Sequence, residues 1–222
     1  MTFSADLRAA TTRTWDAATG HRFVEEIWRG EVPTPVLTTY LVQDNQFLDA
    51  FVALMGATVA AADRAQPRIV HARRLGLIAG PESDYFARSF DALDVPSIDR
   101  ATPELLAPTR GFLDLMNAAR RSADYPTCLT PLLVAEWLYL DCFDVRSAAT
   151  GRADVDLPDE PIQREWIELH AGPEFEAWVT FLRAEFDRVT ATLDNDAYAR
   201  VTAEFTRAVD LELAFFEVAY NV

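Results

Sequence analysis

Three acids each stand three residues ahead of an aromatic ring inside a long apolar segment. They are Asp44 with Phe47 in YLVQDNQFLDAF, Glu136 with Tyr139 in VAEWLYLD, and Glu212 with Phe215 in DLELAFFEVAY. Residues three apart share a helix face, so each pair sets a carboxyl beside a flat ring. A carboxyl in apolar surroundings is costly unless it is paired, hydrogen-bonded or protonated. Glu136, flanked by Val134, Ala135 and Trp137, is therefore the expected site of a raised pKa. Asp44, between Gln43 and Asn45, is the expected anion and hydrogen-bond acceptor. Two carboxyls in unlike environments divide into proton donor and proton acceptor. A carboxylate also pairs through both oxygens with an amidine-like edge, a ring nitrogen beside an amino group, as an aminopyrimidine presents. Phe47 and Phe112 are the candidate stacking faces. If the three helix faces converge, they enclose a small, flat, hydrogen-bonding ligand.

The pairing alone is not rare. With 35 acids and 11% aromatic residues, about four acid-x-x-aromatic pairs arise by chance. Six are present, the others being Glu25 with Trp28, Glu82 with Tyr85 and Glu217 with Tyr220. The apolar setting singles out the first three.

Other chemistries are disfavoured by residue type. All 20 basic residues are Arg, which excludes a Schiff-base Lys, a Lys general base and a Walker Lys. His21, His71 and His170 are far apart, with no Glu-x-x-His, no His-Glu-x-x-His and no Cys-x-x-Cys. No metal and no cofactor are expected. A haem role through His21 would rest on one His near a helix start, where a capping or surface role is commoner. Gly76 and Gly80 stand alone, so no phosphate-cradling loop is present, and there is no nucleophile elbow. Cys142 lies late in its helix beside Asp141 and Asp144, which would raise its pKa. Cys128, near a helix start after Pro126, is better placed for reactivity, although a small buried residue is the usual role of a free Cys.

The elements that must hold these groups are helical. Gly is scarce and β-branched alternation is absent. Thr34-Pro35 predicts the N-cap and first residue of a helix to about Asp63, with Tyr40, Leu41, Asp44, Phe47, Leu48, Phe51 and Met55 repeating at three and four. Thr102-Pro103 predicts another to about Arg121, Gly172-Pro173 a third, and Asn195 a cap for the last, to Tyr220. Phe3–Thr19, Phe23–Arg29, 68–78, 83–93 and Thr127–Ala149 are further helical segments, and 151–161 is a connecting loop. The expectation is an all-α domain of roughly eight to ten helices spanning residues 1–222.

Composition bounds the partners. Half of the 222 residues are hydrophobic, and one domain of this size buries roughly 70% of its unfolded surface, enough for a core. A net charge of −15 repels phosphate backbones and anionic membranes, so neither nucleic acid nor membrane is an expected partner. The first residues carry no apolar stretch of a secretory signal, and no apolar run reaches ~18 residues. Cys128 and Cys142, about 21 Å apart on one helix, cannot bridge. A cytoplasmic protein with reduced thiols is expected.

Against this reading the chain resembles the TenA proteins, thiaminase II or aminopyrimidine aminohydrolase, of the haem-oxygenase-like all-helical fold. His21-Arg22-Phe23-Val24 is similar to the family's His-Pro-Phe opening, and Tyr40-Leu41-Val42-Gln43-Asp44 with Phe47-Leu48 to its most recognisable motif. Trp137-Leu138-Tyr139 resembles the central-helix motif, and Glu212 with Phe215-Phe216 and Ala219-Tyr220 the terminal pattern. The resemblance implies that Asp44 binds the pyrimidine's amino group and ring nitrogen, Phe47 stacks, Tyr139 hydrogen-bonds in the pocket with Phe215 among the binding residues, and Glu212 is the general acid/base. It also implies a homo-oligomer, a tetramer or a dimer. The larger subgroup carries a nucleophilic Cys two residues before the central Trp, where this chain has Ala135. Glu136 is similar instead to the Glu of the Cys-lacking subgroup. Phe112 stands where the family often has Tyr. Hydrolysis of aminomethyl- or formylaminomethyl-pyrimidines from thiamin breakdown, by Glu136 and Glu212, is the implied activity. A non-catalytic pyrimidine-binding or regulatory protein on the same fold is the alternative.

Overall fold

The computed structural model describes residues 2–78, 80, 83–144 and 156–221. Among them are twelve α-helices and no strand: α1 (Phe3–Ala10), α2 (Thr12–Thr19), α3 (Arg22–Arg29), α4 (Thr34–Ala61), α5 (Ala65–Leu77), α6 (Ser83–Ala92), α7 (Ser97–Ala101), α8 (Ala107–Ser122), α9 (Tyr125–Phe143), α10 (Pro161–Leu169), α11 (Gly172–Thr190) and α12 (Asn195–Val218). No helix among the described residues is long and apolar enough to cross a membrane.

The centre is α9. Fifteen of its 19 residues are buried, as expected of a helix that is apolar on every side. It packs on α11, α12, α4 and α8, while α8 also packs on α4 and α12. Glu136, Tyr139, Asp141 and Cys142 are therefore held by neighbours on all sides. α4 differs along its length. Tyr40, Leu41, Leu54 and Met55 are buried, but 44–48 and 51–53 are only half-buried. Asp44, Phe47, Leu48 and Phe51 of that stretch line a cavity.

α8 starts on Leu106, whose side chain cannot cap. The cap comes from α4. The carbonyl oxygen of buried Gln43 accepts from the Leu106 backbone N–H at 2.9 Å and from the Thr109 hydroxyl at 2.7 Å, and its amide donates to the Glu104 carbonyl at 2.9 Å. The residue before Asp44 thus fixes the start of the helix that carries Phe112. Four residues on, Gly111 admits the close approach of α12. A Cβ there would lie 2.7 Å from a Leu211 methyl.

Several predicted boundaries shift. Pro33, not Thr34, occupies the N-cap of α4. Thr102-Pro103 does not open α8. Thr102 ends α7, and the opening proline is Pro108. Pro is common after a helix end as well as at its first turn, and Pro103 follows the end of α7. Asp194, accepting from the Ala197 N–H at 2.8 Å, caps the last helix in place of Asn195. α10, at nine residues, is too short to show periodicity and opens at the proline read as the end of a loop. The predicted end of the central segment, Ala149, the first part of the 151–161 loop and Glu82 lie outside the described residues.

Candidate active site

The three acid faces meet on one cavity of about 80 Å³. α4 supplies Asp44, Phe47, Leu48 and Phe51, α8 supplies Phe112 and Met116, α9 supplies Ala135, Glu136 and Tyr139, and α12 supplies Glu212. Arg74 from α5, Phe86 from α6, Trp166 from α10 and His170 just beyond it complete the wall. Phe215 is not on the wall. It is buried one layer behind, its ring 5.0 Å from Phe47 and 5.1 Å from Tyr40, so it backs the ring that faces the cavity.

One polar group of the wall comprises Asp44, Glu212 and Tyr139. The hydroxyl of Tyr139 shares a 2.5 Å hydrogen bond with that of Tyr40 behind it. Burial, with the Asp44 and Glu212 carboxyls nearby, raises both phenols far above their ordinary range, so they remain protonated donors. Glu212 is 5% exposed, and burial alone pushes its carboxyl up to about 8. At neutral pH it is mostly a neutral acid, able to give a proton.

The second polar group comprises Arg74, Glu136 and His170. The Arg74 guanidinium donates to Glu136 at 3.3 Å, with both side chains largely buried. Glu136, read in sequence as a carboxyl among apolar neighbours, thus has a cation beside it. His170 donates from Nδ1 to the Trp166 carbonyl at 2.8 Å. Burial lowers its pKa to about 4 against that bond, and the Arg74 charge adds to the effect. The imidazole is neutral, with Nε2 as an acceptor.

Rings flank the space. Phe47 and Phe112 lie 5.6 Å apart at 53°, and Trp166 packs 4.4 Å from His170 and 6.1 Å from Tyr139. Arg74, Trp166 and His170 were not singled out in sequence. Trp166 and His170 arrive on the unpredicted α10, and Arg74 is one of two adjacent arginines on a helix of mixed pattern.

The remaining candidates fall elsewhere. Cys128 and Cys142 are buried, free and off the cavity wall. Cys128, expected to be the more reactive, is pushed up to about 11 by burial despite its position near the start of α9. His21 caps α3, its Nδ1 accepting from the Phe23 N–H at 3.1 Å while Nε2 meets Glu217 at 2.9 Å. No group of three or more His, Cys, Asp or Glu able to hold a metal occurs among the described residues.

Comparisons place the chain among known proteins. The sequence model of the TENA/THI-4/PQQC family matches residues 8–222. An aminopyrimidine aminohydrolase of Halalkalibacterium halodurans is 22% identical over 221 residues, covering 100% of this chain and 96% of that protein. A TenA homologue from P. horikoshii superposes with a TM-score of 0.82 at 22% identity, covering 100% of this chain and 99% of the other. A domain of unknown function with a haem-oxygenase-like fold from Shewanella denitrificans superposes with a TM-score of 0.67 at 12% identity, over 98% of this chain and 91% of the other. The all-α, haem-oxygenase-like fold is thereby established.

Proposed function

Because the chain belongs to the TENA/THI-4/PQQC family, we propose that its cavity is the active site of a hydrolase for aminopyrimidines of the kind released by thiamin breakdown. The carrying observation is the convergence of Asp44, Glu136, Tyr139 and Glu212 on one small space flanked by Phe47 and Phe112. The Halalkalibacterium relative, an aminopyrimidine aminohydrolase matched over 96% of its length, supports the same class of substrate.

In this reading the Asp44 carboxylate pairs with the amino group and ring nitrogen of the pyrimidine. Phe47 and Phe112 hold the ring plane, and Tyr139 donates from a hydroxyl oriented by Tyr40. Phe215 supports Phe47. Glu136, with Arg74 beside it, takes a proton from the attacking water. Glu212, neutral at pH 7, gives its proton to the departing nitrogen. With 4-amino-5-aminomethyl-2-methylpyrimidine, the C–N bond breaks, water supplies the new C–O bond, and the products are hydroxymethylpyrimidine and ammonia.

Ala135 lies on the wall, at the position matching the family's nucleophilic Cys, and carries no nucleophile. The carboxyls act without a covalent intermediate, as in the Cys-lacking subgroup. The test is incubation with the aminomethylpyrimidine, its N-formyl derivative and thiamin in parallel, with products followed by mass spectrometry. Turnover of a pyrimidine is expected. A thermal shift with pyrimidines but no product from any of the three would replace hydrolysis with simple binding.

A further inference from the structure

Arg74 reaches Glu136 from α5, a helix with little core of its own. Of the 13 residues of α5, only Pro67 and His71 are buried. Its register is fixed by a ladder of side-chain contacts to α11, which runs the opposite way. The Arg74 guanidinium carbon lies 5.0 Å from the centre of the Phe175 ring and 5.7 Å from that of Trp178. The His71 ring meets Trp178 at 5.6 Å and Phe181 at 5.2 Å, both edge-on. At the start of α5, Arg64 donates to Glu185 at 3.0 Å, and Arg188 donates to Asp63 at 2.7 and 3.0 Å. Residue numbers rise along α11 as they fall along α5, so a slide of α5 along its axis disturbs every one of these contacts.

His71 sits in the middle of that ladder and is also tied to α9. Its Nε2 lies 2.8 Å from the hydroxyl of Tyr125, which donates to Glu185 at 3.2 Å. Because the phenol gives its proton to Glu185, its oxygen accepts from His71, and the neutral ring is the Nε2–H tautomer. Its Nδ1 is buried without a hydrogen-bond partner. Burial opposes the charge on Glu185, but hydrogen bonds from Arg188 and the charges of Arg188 and Arg64 outweigh it and lower the pKa, so the chain of bonds ends on an anion. α5, α9 and α11 are thereby joined at one point, one helical turn from Arg74. None of His71, Tyr125 and Glu185 lies on the cavity wall. We infer that His71, through Tyr125 and Glu185, is the positioning residue for the Arg74–Glu136 pair, holding α5 at the height where the guanidinium meets the carboxyl. This rests on the role given to Glu136 above and deepens it. A base displaced by about 1 Å can lose a hundredfold in rate, so a bond made outside the cavity can control the chemistry inside it.

The experiment compares wild type, Tyr125→Phe, His71→Phe and His71→Gln, each alone and combined with Arg74→Met, by kcat, KM and binding of hydroxymethylpyrimidine. Tyr125→Phe keeps the ring and removes the hydroxyl. It and His71→Phe are expected to lower kcat about tenfold or more while KM and ligand affinity stay within about threefold. His71→Gln, which keeps an N–H for Tyr125, is expected to recover most of the lost rate. In the Arg74→Met background the same substitutions are expected to change kcat by less than about twofold, because the group they misplace is already gone. A second readout needs no turnover. The Arg74 Nε–H is buried beside two aromatic rings, so its NMR signal, assigned by its loss in Arg74→Met, is set apart by ring currents. That signal is expected to move toward those of the exposed arginines in Tyr125→Phe and in His71→Phe. Unchanged kcat in both variants, an equal loss with and without Arg74, or an unmoved Arg74 signal would overturn the positioning role. Absence of any pyrimidine turnover by wild type would instead remove the aminopyrimidine reading, and the Arg74 signal alone would then decide whether His71 holds the pair.

Discussion

The carbonyl oxygen of Gln43, on α4, accepts from the hydroxyl of Thr109 in the first turn of α8, 66 residues away. The same oxygen takes the Leu106 N–H, so one buried side chain supplies the cap that α8 lacks. Gln43→Leu leaves those two donors and the Glu104 carbonyl unpaired. A stability loss of roughly 2–4 kcal/mol is expected, or about 5–12 °C in Tm for a chain of this size. Gln43→Glu, which keeps the acceptor and loses the donor, is expected to fall between. Thermal unfolding of the three proteins checks the order. Equal Tm values for wild type and Gln43→Leu would show that the cap contributes nothing.

In the proposed mechanism Glu212 gives the reaction a basic limb. With its carboxyl pushed up to about 8, it is protonated at pH 7 and loses its proton as pH rises through that value. The rate is therefore expected to fall above about pH 8. Glu212→Gln is expected to lose at least a hundredfold in kcat while still binding hydroxymethylpyrimidine, and to abolish that limb in whatever activity remains. The same group costs stability with the opposite sign from a salt-bridged acid. Between about pH 4.5 and 8 the folded protein holds a proton that the unfolded chain has released, so Glu212 lowers stability progressively across that window. The Gln variant is expected to show a flatter pH–Tm profile there.

Two buried imidazoles set the acid limit. His71 and His170 are both lowered to about 4 by burial, from 6.5. Between pH 6.5 and 4 the unfolded chain binds protons that the native protein does not, so stability rises with pH through this window and is lost on acidification. Each shift corresponds to roughly 3 kcal/mol at full titration. Urea midpoints measured from pH 7 to 4 are expected to fall steeply below 6. His71→Phe, which also removes the hydrogen bond between the His71 ring and the Tyr125 hydroxyl, is expected to shallow the slope while lowering the midpoint at pH 7.

Neither thiol is expected to take part in turnover. Cys128 and Cys142 are buried away from the cavity wall. The native enzyme treated with iodoacetamide at pH 8 is expected to keep its rate, and the Cys128→Ala/Cys142→Ala double variant to stay within threefold of wild type in kcat/KM. Stoichiometric inactivation by the reagent would contradict a cysteine-free mechanism.

The chemistry-bearing residues were legible in sequence where a long apolar helix isolates them. Asp44, Glu136 and Glu212 stand out because α4, α9 and α12 surround each with hydrophobic positions, and all three reach the cavity. Arg74 and His170 gave no such signal. They line the cavity beside Phe175, a residue of α11, and no local pattern encodes that meeting. Partnership was equally hidden, since Arg74 lies 62 residues from Glu136 and nothing near Glu136 in sequence announces a cation. Long helices were placed to within a few residues because their burial repeats over several turns. α10 and α7 were missed because short helices are specified by their caps and docking more than by periodicity.

Trp166 stands on the cavity wall, whereas Trp15 and Trp28 spend their indole N–H groups on Asp141 and on the Cys142 carbonyl away from it. Its indole also touches His170 and Tyr139, so a ring entering the cavity changes the surroundings of one particular chromophore. Occupancy is thus written into the protein's own emission spectrum. Arrival and departure of a ligand can be timed by stopped-flow without a label, which separates binding from the chemical step.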